Sequence, residues 1–377
     1  MPPLNYVTHF CGIGGACWGL EQAGLRCGLA IDNNGDGPCI DTRAANLKCD
    51  KGLRLDVRKY FDKDAQGEYL YAREEHRKDL FLLWTSPPCK KFSMAGKTTA
   101  KQKNIEMENL YRASVEFAKW ARPKYIVVEN VKGLVRHEAK SRGFGVEGKL
   151  TEMLNAFREL GYYAEWNVLN AVHFGVPQKR QRVFIVCSRD GQRNLIPYPK
   201  IKRTFFSDIK EHGRTDLALK EGTYRTIIEK LMRLMRKDVS YRVMLVGLKE
   251  DRGTKRDCLF TITCGHGGGI TRKKLAVADS AHGIDFLRHL SLKEGLAAQG
   301  FPTTWTLPEN ATLAWNLIGN AVPSPVSRAI AEHLVKVDAG EHPAAMEAFT
   351  DERLLNISQK LMPQVPQGAA FTEFDAS

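Results

Sequence analysis

The stretch "YVTHFCGIGGACWGLEQAGLRCGLAID", Tyr6 to Asp32, decides the fold. Its first residues, Tyr6–Phe10, form a short strand pattern that runs straight into glycines. "ACWGLEQAG" (Ala16–Gly24) has helical spacing and stops at a glycine. "CGLAID" (Cys27–Asp32) is a second strand, and it ends in a carboxylate. Strand, glycine turn, helix and acid-terminated strand open an α/β alternation.

The alternation continues. "DLFLLW" (Asp79–Trp84) and "YIVVEN" (Tyr125–Asn130) are continuous apolar runs of strand length, and "RVFIVCS" (Arg182–Ser188) is a late strand. "MENLYRASVEFAKWARP" (Met107–Pro123) and "LTEMLNAFRELG" (Leu150–Gly161) carry amphipathic helical spacing. Apolar strands between helices predict a mostly parallel sheet covered on both faces, the doubly wound α/β class. After Arg189 the pattern gives way to basic clusters and the glycine run "CGHGGG" (Cys264–Gly269). The expected division is therefore a catalytic and cofactor-binding domain over 1–189 and a second, smaller domain over 190–285. Residues 286–337 return to the first domain, and 338–377 form a peripheral tail.

The chain has 377 residues and a formal net charge of +13. Residues 190–285 hold 20 Lys and Arg against 12 Asp and Glu, a surplus that suits a polyanionic partner. No run of eighteen apolar residues and no leader pattern occurs, so the expectation is a cytoplasmic protein without a membrane span. Nine cysteines, an odd number with no Cys-x-x-Cys pair, argue against a disulfide framework or a metal site. Most of them read as small buried apolar residues.

Open α/β sheets bind ligands at the carboxyl ends of their strands, and the distinctive residues fall there. Strand one runs into Phe10, Gly12, Gly14 and Gly15, a loop that lets a ligand approach the backbone closely. A dinucleotide fingerprint would need glycine at position 17, which is Cys17. Asp32 is placed to bind ribose hydroxyls, so a nucleoside-type cofactor is expected. In "TSPPCKKFSMAGK" (Thr85–Lys97) two prolines fix a loop that holds out Cys89, and Lys90, Lys91 and Lys97 favour its thiolate. Glu129 closes another apolar strand, where an unbound carboxylate is costly. Arg180 and Arg182 lie two apart at a strand entrance, and so on one side of it.

Taken together the set resembles the cytosine C5-specific DNA methyltransferases of bacterial or phage type. The resemblance rests on Phe-x-Gly-x-Gly-Gly at 10–15, Pro-Cys with a following Ser at 88, 89 and 93, and Glu-Asn-Val at 129–131. It also rests on Gln-x-Arg-x-Arg at 178–182, "RHLSLKEGLAAQGFP" from Arg288, and Gly-Asn-Ala-Val at 319–322, in the family's usual order. It implies a Rossmann-like class I fold and S-adenosyl-L-methionine as cofactor, with no metal. It implies double-stranded DNA as partner and a monomer. Cys89 would be the nucleophile that attacks C6 of a flipped-out cytosine. Glu129 would hold a proton toward N3, Arg182 would contact the carbonyl oxygen, and Arg180 would support the site. Cofactor contacts would come from Phe10, Gly12, Gly14, Gly15, Asp32, Asn33, Asp56, Val57, Pro88, Leu110, Asn320 and Val322. DNA contacts would come from Lys91, Ser93 and Lys97, and sequence readout from 190–285. One departure stands out: the family usually has Gln after the nucleophile, and this chain has Lys90.

Three other readings share parts of this pattern. A tRNA cytosine methyltransferase would share the scaffold, but the Cys-Phe-Thr tripeptide of those relatives is absent from the variable region. A non-enzymatic DNA-binding regulator would have a degraded nucleophile or cofactor loop. An oxidoreductase is disfavoured by Cys17 and by the Cys89, Glu129 and Arg182 set.

Overall fold

The computed structural model describes residues 3–35, 37–88, 110–143, 148–199, 204, 209, 211, 243–247, 259–262, 275–279 and 287–346. Strands β1 (Asn5–His9), β2 (Arg26–Asp32), β3 (Lys51–Arg54), β4 (Leu80–Thr85) and β5 (Tyr125–Val131) run parallel to one another. Between them lie helices α1 (Gly15–Gln22), α2 (Cys39–Ala44) and α3 (Tyr111–Ala121). Then come α4 (Gly133–Gly143), α5 (Lys149–Arg158), β6 (Tyr163–Asn170), the short β7 (Gln178–Lys179) and β8 (Gln181–Ser188). The seven-stranded sheet has the order β3-β2-β1-β4-β5-β8-β6. Its parallel character is as expected. The late strand β8 differs: it inserts antiparallel between β5 and β6.

The apolar runs explain why the sheet is buried on both sides. All six residues of β4 are buried. Alternate residues of each strand serve opposite faces, as the pleat requires. Tyr6, Trp84, Tyr125, Val127, Phe184 and Val186 enter one core, with α1 and the C-terminal helices. Val7, Leu83, Ile126, Val128, Ile185 and Cys187 enter the other, with Phe117 of α3 and Phe157 of α5. Helix α3 turns Tyr111, Ser114, Phe117, Ala118 and Ala121 inward and ends at Arg122 in left-handed conformation, before Pro123.

The C-terminal segment completes the first core with α6 (Leu292–Ala298), α7 (Ala311–Asn320) and α8 (Ser324–Asp338). Ser291 and Glu294 cap α6 reciprocally. Helix α8 lies against α1 at a distance only glycine permits. A Cβ on Gly19 would sit 2.1 Å from the Ser324 carbonyl oxygen, and one on Gly15 would sit 2.3 Å from that of Val322. Ser327 Oγ donates to the Ala16 carbonyl at 3.0 Å.

Within and just beyond 190–285, β9 (Val243–Gly247), β11 (Leu275–Asp279) and β12 (Leu287–His289) form a separate antiparallel sheet in the order β12-β11-β9. The short β10 (Leu259–Phe260) pairs in parallel with β7. Beyond α8, Tyr198 and Met346 donate to the carbonyls of Ala344 and Ile196, so residues 344–346 return to the segment after β8.

Candidate active site

Strand order reverses between β1 and β4, which places a crevice outside their carboxyl ends. On its first side the chain leaves β1 through Phe10 (φ 57°), Gly12 (φ 53°) and Gly14 (φ 92°). Three left-handed positions in five residues fold the loop back, and Gly14 N–H donates to the Cys11 carbonyl at 3.0 Å. Asp32 at the end of β2 anchors this loop: Oδ2 accepts from Gly12 N–H at 3.0 Å and Oδ1 from Asn34 N–H at 2.9 Å. A carboxylate at that position has the chemistry to accept from a hydroxyl donor. Among the described residues, none beyond its chain neighbours comes within 4 Å of where a Cβ on Gly12 would stand. Gly15 faces Val322 instead, so its missing side chain serves helix packing.

Asn33 turns inward on its own loop, with Oδ1 accepting from Gly35 N–H. Asp56 caps the turn Val57–Lys59 and accepts from Arg58 N–H at 3.0 Å and Arg58 Nη2 at 2.6 Å. The Arg58 side chain holds the Asp56 carboxyl below its ordinary range. Val57, Leu110 and Val322 are buried, while Asn320 at the end of α7 is exposed.

The second side is built from side chains. Glu129 near the end of β5 is mostly buried and meets Arg182 of β8, Nε to Oε1 at 3.1 Å. The antiparallel register explains the meeting, because Arg182 stands opposite Val131, two residues from Glu129. Asn130 donates from Nδ2 to the Pro87 carbonyl at 3.3 Å. The strand that carries Glu129 is thus tied to the loop two residues ahead of Cys89. Pro88 ends the described part of that loop; Cys89, Lys91, Ser93 and Lys97 lie outside the described residues.

Arg180 plays a different structural part from Arg182. It is fully buried, and its Nη1 and Nη2 donate to the carbonyls of Ile262 at 2.8 Å and Gly319 at 3.0 Å. Gln178 joins it, donating to the Ala298 carbonyl and accepting from Ile262 N–H. These two residues fasten the segment 259–262 and the C-terminal helices to the sheet.

Sequence reasoning gave Asn130 no role. It also missed a buried chain beneath the crevice: His9 Nδ1 bonds Ser114 Oγ at 3.0 Å, which bonds Thr85 Oγ1 at 2.8 Å. Two of its members lie close to a crevice residue, His9 before Phe10 and Thr85 shortly before Pro87. Complete burial pushes the His9 imidazole down to about 3, so it is neutral. A histidine and a threonine closing two apolar strands were the only trace of this chain in the sequence.

Among the described residues no group of three or more His, Cys, Asp or Glu side chains could hold a metal ion. No helix among them is long and apolar enough to cross a membrane. Comparison with known proteins gives a family match over residues 4–336, to the C-5 cytosine-specific DNA methylases. The Type II methyltransferase M1.HphI of Haemophilus parahaemolyticus is 26% identical over 90% of this chain and 88% of its own length. The Type II methyltransferase M.HhaI of the same organism is 25% identical over 88% of this chain and 94% of its own. The solved S. pombe Dnmt2 methyltransferase is similar in fold, with TM-score 0.58 and 16% identity over 89% of this chain and 99% of that one.

Proposed function

The chain belongs to the C-5 cytosine-specific DNA methylase family and is a DNA cytosine-5 methyltransferase, and we propose that it works through a covalent adduct between Cys89 and C6 of a flipped-out cytosine. The observation that carries this reading is the convergence of Glu129, Arg182 and the Pro87 loop at one end of the sheet.

Cytosine C5 is a poor nucleophile. Thiolate addition at C6 converts the ring to an enamine that is nucleophilic at C5, which splits one hard step into easier ones. Glu129 carries a proton toward N3 and neutralises the charge that develops as the thiolate adds. Arg182 fixes that carboxyl group through its Nε, and its guanidinium is the group that contacts the base carbonyl. The Glu129–Arg182 pair is a resting state: a cytosine edge that enters takes up both partners in place of one another. Loss of the C5 proton and expulsion of the thiolate then restore the aromatic ring.

The other side of the crevice fits S-adenosyl-L-methionine. Asp32 accepts from the ribose, Phe10 packs on the adenine, and Gly12, without a side chain, admits the ligand to the backbone. Val57, Pro88, Leu110, Asn320 and Val322 complete its surroundings, with Asn33 and Asp56 acting mainly through the loops they brace. When bound, this cofactor supplies an electrophilic methyl group on sulfonium. The basic surplus of residues 190–285 supports their role as the region that reads double-stranded DNA. Lys91, Ser93 and Lys97 contact its backbone. The relatives named as Type II methyltransferases support a place beside a restriction enzyme.

Conversion-based methylation sequencing of DNA from cells that express the chain tests this function. One short motif should carry 5-methylcytosine with the intact protein and none with Cys89→Ser. Methylation retained in that variant would refute the covalent route.

A further inference from the structure

Cys27 and Cys49 take no part in the site, and they face each other where two neighbouring strands begin. Leu29 pairs with Lys51 in the parallel ladder of β2 and β3. Two residues earlier stand Cys27 on β2 and Cys49 just ahead of β3. Asp50 N–H donates to the Cys27 carbonyl at 3.0 Å, so the pairing extends back to this point. An ion pair between Arg26 and Asp50 at 2.7 Å closes the flank. The two Sγ atoms lie 3.1 Å apart. Neighbouring strands are spaced about 4.8 Å apart, inside the Cα range a disulfide accepts. We propose that Cys27 and Cys49 are a reversible thiol–disulfide site, oxidised by low-molecular-weight disulfides.

The two thiols divide the work. Cys49 is half-buried and reachable, whereas Cys27 is buried. The hydrogen bond between the thiols, helped by the buried Arg43 guanidinium, brings Cys49 down to about 7, while burial pushes Cys27 up. Cys49 is therefore the attacking thiolate. It attacks one sulfur of the small disulfide, forms a mixed disulfide and releases one thiolate. Cys27 gives its proton to solvent and attacks the Cys49 sulfur, which closes the bridge and releases the second thiolate. The protein loses two electrons and two protons, and one disulfide becomes two thiols. The bridge clasps β2 to β3 at their amino ends and closes a loop across α2.

The test uses the full chain and oxidised glutathione. After oxidation, remaining thiols are alkylated and the protein is digested with trypsin without reduction. The expected product is the peptide Cys27–Arg43 joined to Cys49–Lys51, with fragmentation placing the bond on Cys27 rather than Cys39. Dithiothreitol should reverse it, and it should be absent in Cys49→Ser and in Cys27→Ala. The oxidised protein should melt roughly 3–8 °C higher than the reduced protein, as closure of a loop of this length implies. Two separately alkylated peptides would overturn the proposal. So would Cys49 held as a glutathione adduct beside an alkylated Cys27, or joined to any other cysteine.

Discussion

The two sides of the crevice are made of different material. The side formed by β1 and β2 is mostly backbone: left-handed turns at Phe10, Gly12 and Gly14, tied by one carboxylate through two N–H groups. The side formed by β4, β5 and β8 is mostly side chains: the Glu129–Arg182 pair and the Asn130–Pro87 bond. The first can lose one side chain and keep its shape, because the turns hold it. The second loses its chemistry with a single atom.

The largest effect should follow Cys89→Ser, a fall in single-turnover rate of more than about 10⁴-fold, with cofactor affinity by calorimetry unchanged. Glu129→Gln comes next. It keeps the shape and removes the charge, so kcat should drop roughly 10²–10⁴-fold while cofactor Kd stays within about twofold. A matching loss of cofactor binding would merge the two sides and end the contrast. Asp32→Asn should do the reverse, weakening cofactor binding roughly ten- to a hundredfold at near-normal kcat under saturation. Asn130→Ala removes one buried bond to the nucleophile loop, and a three- to tenfold loss in kcat, roughly one hydrogen bond's worth, is expected. An unchanged kcat would remove Asn130 from the second side.

The smallest effect is on stability near neutral pH. His9 is held near 3 in the fold, against 6.5 for the free side chain. Below pH 6.5 the unfolded chain takes a proton that the folded chain refuses, so stability is full above that value and falls as pH drops. Between pH 7.5 and 5.5 the loss is about 1.4 kcal/mol, and it continues toward pH 3. Denaturant midpoints measured across that range should show this slope in the wild type and a shallower one in His9→Gln.

The apolar runs made β4 and β5 legible, since both are buried on both faces and need no partner to be recognised, whereas the mostly exposed β3 was missed. Strand β6 escaped notice because it carries Glu165 and Asn167 among its apolar residues, and both are buried. Glu165 is tolerated there because it accepts from the N–H groups of Leu195 and Ile196, thirty residues away. The direction of β8 was equally hidden, since apolar content carries no sign. The resemblance set Glu129 and Arg182 around one base, but their direct contact with each other follows only from the antiparallel register. The packing reason for Gly15, the Val322 carbonyl, was hidden because it lies over three hundred residues along the chain. The contact of Asp56 with Arg58, two residues on, was likewise not legible in the sequence.

The contact between α1 and α8 also sets a clock. Ser327 reaches Ala16 across 311 residues. At a synthesis rate of about 5–20 residues per second, roughly 15–60 s separate the emergence of the first helix from that of its lid. For that interval the first core lacks Val326, Ile330, Ala331 and Leu334, and Leu20 and Cys17 have nothing to rest against on that side. The amino-terminal half is a nascent chain in waiting, with an apolar face left uncovered until α8 leaves the ribosome.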